Sequence, residues 1–169
     1  MANITTNFPD YELAGQGERW ALIPKEHQNN LKILAKNILQ PARDDINKNN
    51  PKNDIAIFIT SGYRSRRHNE AAEGASNSMH LYGKAVDISC SQFTGIEFFE
   101  YMLKNFSNQV GGIGLYANEN LKGKFIHIDM RPKHNGKAIV SWYFDGSRYR
   151  SPGPKMQAIF KKLGLAFVG

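Results

Sequence analysis

Apolar positions along the chain change period several times, and each change marks an element. Residues 1–24 hold no sustained period, and residues 1–29 read as a lead-in segment. From Asn30, "NLKILAKNILQPARDDI" sets Leu31, Leu34, Ile38 and Leu39 on one helical stripe, which Pro41 is expected to kink or end. "IAIFIT" (55–60) is a short β-branched run of the kind found in buried strands, preceded by the polar turn "NKNNPKND". "SGYRSRRHNEAAEGASNS" is a long polar stretch with a short helix expected at about residues 67–73, and polar loops of this length are more often functional than idle. "KAVDIS" (84–89) alternates like a half-buried strand. "QFTGIEFFEYMLKNF" carries Phe93, Ile96, Phe99, Met102 and Leu103 at helical spacing, which predicts a core-facing helix. "VGGIGLY", "KFIHIDM" and "KAIVSWYF" are three strand candidates separated by Gly-rich and Lys-rich turns, so an antiparallel meander is the natural expectation. Residues 146–169 read as a turn and a helix, with Pro152 or Pro154 suited to its first turn. The sum is an α+β fold: one small, mostly antiparallel sheet with helices packed on one side.

Composition narrows this picture. A chain of 169 residues, 41% hydrophobic and 22% charged, is of the size and make-up of one compact domain, expected to span 1–169. Cys90 is the sole cysteine, so no intrachain disulfide and no thiolate cluster can form; a metal would have to be held by histidine and carboxylate. No apolar run approaches the ~18 residues of a membrane span, and "MANITTNFPDYELAG" lacks the basic and apolar regions of a signal peptide. Synthesis in the cytoplasm is expected, with any export by another route. The formal charge of +7 would favour a polyanionic partner such as nucleic acid, an anionic cell wall or a lipid surface, but charge alone equally fits a solvated basic surface. "GGIG" lacks the Lys-Ser/Thr signature of a phosphate loop and precedes no helix.

Strand parity picks out the chemistry. In "KAVDIS", Val86 and Ile88 share one face, and Asp87 turns to the other. In "KFIHIDM", Ile126, Ile128 and Met130 are expected in the core, while Phe125, His127 and Asp129 project oppositely. If the two strands share a sheet, these polar residues could share a face. His80 lies seven positions before Asp87, an odd offset that would put the two on opposite faces of a continuous strand. The chain must therefore bend between them, and Gly83 is where it can. Two imidazoles and one carboxylate form a common catalytic zinc shell with the fourth position left for water. They could equally be a loop cap, a backbone acceptor and a strand filler, and spacing alone does not choose.

"SMHLYGKAVD" (78–87) matches, position for position, the Ser-x-His-x-x-Gly-x-Ala-x-Asp signature of the zinc D-alanyl-D-alanine carboxypeptidase-like peptidoglycan peptidases, which share a core fold with the hedgehog signalling domain. "ITSGYRSRRHN" resembles the segment before that signature, "GGIGLY" and "FIHIDMR" resemble the closing strands, and "NFPDYELA" is similar to the lead-in of the phage and prophage lysin branch. The resemblance implies Zn2+ held by His80, Asp87 and His127, with Arg64 gripping the substrate or its developing oxyanion. Ser78 could hydrogen-bond within the bend or support a ligand. Tyr82, Tyr116, Trp142 and Tyr143 could line a groove beside the metal, although aromatic residues at strand positions more often serve packing. One position departs from the pattern: where relatives carry an acid or histidine shortly before the third ligand, this chain has Lys124. Asp129 is the first candidate for the general base, or else an anchor for the His127 ring; Glu119 and His134 are weaker candidates. The implied function is hydrolysis of an amide bond in peptidoglycan stems or cross-links by a protein without a transmembrane segment, expected to be monomeric. It would reach the wall by release or by delivery from a phage or secretion apparatus. The alternative is a non-catalytic zinc module that binds a partner or the wall; dedicated nucleic-acid binding has only the charge behind it.

Overall fold

The computed structural model describes residues 2–50, 52, 54–117 and 123–169, apart from the side chains of 123 and 124. The chain forms two compact units, Met1–Asp87 and Ile88–Gly169. The first contains helices α1 (Asp10–Ala14), α2 (Lys25–Leu34), α3 (Gln40–Lys48) and α4 (Arg66–Ala71) and strand β1 (Ile57–Ser61), with β2 (Ala85–Cys90) running across the boundary. The second contains α5 (Gly95–Phe106), β3 (Gly112–Ala117), β4 (Gly123–Asp129), β5 (Ile139–Phe144), β6 (Tyr149–Arg150), α6 (Pro154–Lys162) and β7 (Phe167–Val168).

The lead-in is more ordered than its lack of period suggests. Phe8, Leu13 and Ala14 are fully buried, and the Leu13 carbonyl accepts the Tyr63 amide at 3.0 Å, so α1 backs the segment that follows β1. The first long helix starts at Lys25, six residues before Leu31 opens the apolar stripe, because Pro24 occupies its N-terminal boundary in a non-helical conformation. It does not end at Pro41. A π-helical turn over Ala35–Leu39 links α2 to α3, and φ and ψ stay helical through Leu39 and Gln40. Proline lacks the N–H that an α-helix needs, and the widened turn directly before it accommodates both that loss and the ring. The stripe itself is as expected, with Leu31, Leu34, Ile38 and Leu39 at most 1% exposed.

The fold is α+β, a mostly antiparallel sheet with helices, as the pattern predicts. The strand order is β1-β2-β4-β3-β5-β6, with β7 beside β5. The expected meander does not form. β3 pairs antiparallel with β4, but β5 joins the other edge of β3, parallel to it. The reason is occupancy: β4 already has β2 on its far side, so β5 has no edge of β4 to join. β7, which no period announced, adds a second parallel pairing to β5.

Three burial expectations also change. β1 is not buried on both faces, since Phe58 is 54% exposed. β2 is not half-buried, since Ala85, Val86, Asp87 and Ile88 are all buried. In the second unit Ile113, Leu115, Ile126 and Ile128 are fully buried on one face of β3 and β4, while Met130, beyond the end of β4, is only half-buried. Helix α5 packs on these two strands with Phe98, Phe99, Met102, Leu103 and Phe106 buried. Its start is fixed by a capping box, in which Glu97 N–H donates to the Thr94 hydroxyl while the Glu97 carboxylate accepts from the Thr94 amide at 2.8 Å.

Candidate metal centre

His80 sits in a single 3₁₀ turn, Met79–Tyr82, closed by Gly83 in the left-handed conformation (φ 63°, ψ 21°). This is the bend that the odd offset to Asp87 requires. A Cβ at Gly83 would also collide with the His27 carbonyl oxygen in α2, so this position excludes a side chain for two separate reasons. The middle of the turn is buried, with His80 2% exposed and Leu81 also buried.

The imidazole of His80 is oriented by the backbone. Its Nδ1 lies 2.6 Å from the Gly62 carbonyl oxygen, which can only accept, so Nδ1 carries the proton. In the neutral ring Nε2 is then a lone pair, and it points at Asp87 Oδ1 from 3.2 Å. Asp87 Oδ2 is held on its other side by Arg64 Nη2 at 2.7 Å. Arg64 is fixed in turn by Nε donating to Ser61 Oγ at 2.8 Å and by its amide donating to the His80 carbonyl at 3.2 Å.

His127, on β4, is buried and is held by its own strand. Its Nε2 lies 3.0 Å from Asp129 Oδ2. Asp129, 1% exposed, is gripped by Arg131, whose amide, Nε and Nη2 reach the carboxylate at 2.6 to 3.0 Å. Burial alone would push the Asp129 carboxyl up, but the hydrogen bonds and charges of His127 and Arg131 outweigh it and lower it to about 2. This is the geometry of a ring anchor, with both oxygens engaged.

One ligand atom from each of His80, Asp87 and His127 lies within 4.8 Å of the others. The other expected site residues are less engaged. Ser78 stands at the start of the 3₁₀ turn and makes no side-chain cap bond. Tyr82 is 41% exposed, with its ring edge-on to His27 at 6.0 Å. His134 is exposed beside the isolated bridge to Ala138, and Glu119 lies outside the described residues. Residues 22–129 match the family Peptidase M15. The chain belongs to the Peptidase M15 family. No curated protein matches it.

Three supports of these side chains were not anticipated from the sequence. The Gly62 carbonyl carries no side-chain signal at all. Arg131 could have been found from the spacing His127-x-Asp129-x-Arg131, since alternate residues share a strand face. Glu18, in the lead-in, accepts the Ser65 amide at 2.8 Å and lies 2.6 Å from His68 Nδ1, tying α4 and the Arg64 segment to residues some 47 positions earlier. Such long-range contacts leave no local pattern.

Proposed function

We propose that this M15 chain is a single-domain zinc peptidase that hydrolyses an amide bond in the peptide stems or cross-links of bacterial peptidoglycan, with His80, Asp87 and His127 as the zinc ligands. The observation that carries the reading is the mutual approach of those three side chains within 4.8 Å, each held from behind by a partner suited to a ligand. The Gly62 carbonyl sets the tautomer of His80, Arg64 holds the second oxygen of Asp87, and Asp129 holds Nε2 of His127. Two imidazoles and a carboxylate fit zinc with one position open. Zinc in such a set lowers the pKa of a water molecule toward ~7 and polarises a carbonyl, which is the chemistry amide hydrolysis needs.

The chain's own residues would do the rest. Arg64 spends Nε on Ser61 and Nη2 on Asp87, and its Nη1 would meet a substrate carboxylate or developing oxyanion. Asp129 acts as the anchor of His127 rather than as a base, because both its oxygens are already bonded to Arg131. Ser78 and Tyr82, flanking His80, would contact the substrate peptide. The basic surface would hold the enzyme to an anionic wall after release or delivery by a phage or secretion apparatus. No helix among the described residues is long and apolar enough to cross a membrane.

Metal analysis of purified protein, paired with mass spectrometry of digested muropeptides, tests this. One zinc per chain, cleavage by the native protein and loss of both with His80→Ala are expected; protein without zinc would sink the reading. Zinc without cleavage would establish the non-catalytic module instead, which Lys124 at the place of the family's acid or histidine favours.

A further inference from the structure

The segment "GGIG", which fits no phosphate loop, lies in the second unit with its last two glycines on the His127 face of the sheet. Gly114 of β3 pairs with His127 of β4 on one side and with Trp142 of β5 on the other. Gly112 pairs with Asp129 and Val140 in the same way. Residues in register on adjacent strands point to the same face, so His127, Gly114 and Trp142 form one row across the sheet.

One strand, β3, lies between His127 and Trp142, so their backbones stand two strand spacings apart, about 10 Å. Their ring centroids are nevertheless 5.0 Å apart, tilted at 51°. They meet because the residue between them has no side chain. A Cβ built on Gly114 would overlap the indole, with Cζ2 at 2.8 Å and Cε2 and Nε1 closer still. Gly112 does the same for the anchor, since a Cβ there would lie 2.6 Å from Asp129 Oδ1 and 2.7 Å from Arg131 Nε. The indole is itself fixed on two further sides. Its Nε1 donates to Tyr116 Oη at 3.3 Å, and the Arg131 guanidinium carbon lies 5.3 Å from its ring centroid.

We propose that Trp142 is a positioning residue for His127, and that Gly114 and Gly112 leave the space in which Trp142 and Asp129 clamp that imidazole. Asp129 fixes the ring by its nitrogen and Trp142 by its face, and Arg131 braces both. Rotation of His127 away from its ligand orientation is blocked before any metal arrives. The inference rests on the zinc reading above and adds to it the device that presents the third ligand.

Zinc affinity, measured by competition with a chromophoric chelator and without substrate, tests it. Partners that orient a ligand are worth about 10–100-fold in metal affinity, so Trp142→Ala is expected to weaken zinc binding about tenfold or more. Trp142→Phe keeps an aromatic face and is expected to stay within about threefold of wild type, a rescue that would not occur if the Nε1–H bond to Tyr116 were what mattered. Gly114→Ala is expected to reproduce the loss by displacing the indole, but to cost less than about twofold when added to Trp142→Ala, because the two act through one contact. A penalty for Gly114→Ala that is the same in both backgrounds, or a Trp142→Ala protein within twofold of wild type, overturns the proposal and leaves the zinc reading standing. A wild-type protein that takes up no zinc overturns both. An independent readout needs no change at Trp142. In a Trp20→Phe protein, cobalt(II) is expected to quench Trp142 emission in step with occupancy, and unchanged emission at full occupancy overturns the proposal.

Discussion

Gly83→Ala isolates the bend that brings His80 back toward Asp87. The glycine has φ 63° and ψ 21°, a conformation that costs an L-residue about 1–2 kcal/mol. The added Cβ would also meet the His27 backbone, overlapping its carbonyl oxygen and lying 3.0 Å from the carbonyl carbon. That carbonyl belongs to α2, whose Leu31 and Leu34 are fully buried, so the neighbour cannot swing aside as a flexible side chain would. Forcing extra volume into a packed contact costs about 1–3 kcal/mol. The total expected is about 2–5 kcal/mol, a large part of the ~5–15 kcal/mol by which domains are stable. Gly136 supplies the control: its φ is 72°, and nothing lies within 4 Å of a Cβ placed there. Gly136→Ala should therefore show the conformational cost alone, about 1–2 kcal/mol. Urea unfolding of the zinc-free proteins at neutral pH measures both. Gly83→Ala should exceed Gly136→Ala by at least about 1 kcal/mol, and Gly83→Asn, which tolerates the left-handed region but carries the same Cβ, should not rescue it. Equal losses at the two glycines, or rescue by asparagine, would refute the claim that the α2 contact holds the bend.

Arg64→Lys should lower kcat/KM on muropeptides by about 10²-fold or more, because one ammonium cannot bond Ser61, Asp87 and a substrate oxygen together; activity within threefold of wild type would rule that role out. At Glu18, burial pushes the carboxyl up, but bonds from Ser65 and the contact with His68 outweigh it, so the group is held below its ordinary 4.5. A depressed carboxyl contributes stability that is present above its unfolded value and lost as pH falls through its folded value. Glu18→Gln should thus lower Tm at pH 7, with the gap to wild type closing below about pH 4.5; a gap that stays constant down to pH 3 would contradict this. Burial pushes the Cys90 thiol up, so it should react slowly with a thiol-specific disulfide reagent in the native protein and quickly after unfolding; equal rates would place it at the surface.

The sequence carried most of the helical stripes of α2 and α5, the strand identities of β2 to β5 and the need for a bend between His80 and Asp87, since all of these are local periods or parities. Spacing alone left the roles of His80, Asp87 and His127 open, and it was the resemblance of "SMHLYGKAVD" to a family signature that implied them. Parity also put Asp129 on the His127 face, yet could not say whether it acts as base or anchor. Only the structure shows Arg131 closing on both its oxygens.

What the tertiary structure decided is whatever depends on which edges are free and which backbone atoms come near. β5 joined β3 instead of β4 because β4 was already paired with β2, a fact of strand order that no local pattern encodes. The helix passed through Pro41 because a π turn before it absorbed the missing N–H. The tautomer of His80 is set by the Gly62 carbonyl, eighteen residues away. "GGIG" was legible as part of a strand, but only register places Gly114 between His127 and Trp142. A side chain's chemistry is written in its own residue, whereas the emptiness that lets two side chains meet belongs to a third residue, and only pairing across the sheet shows which one.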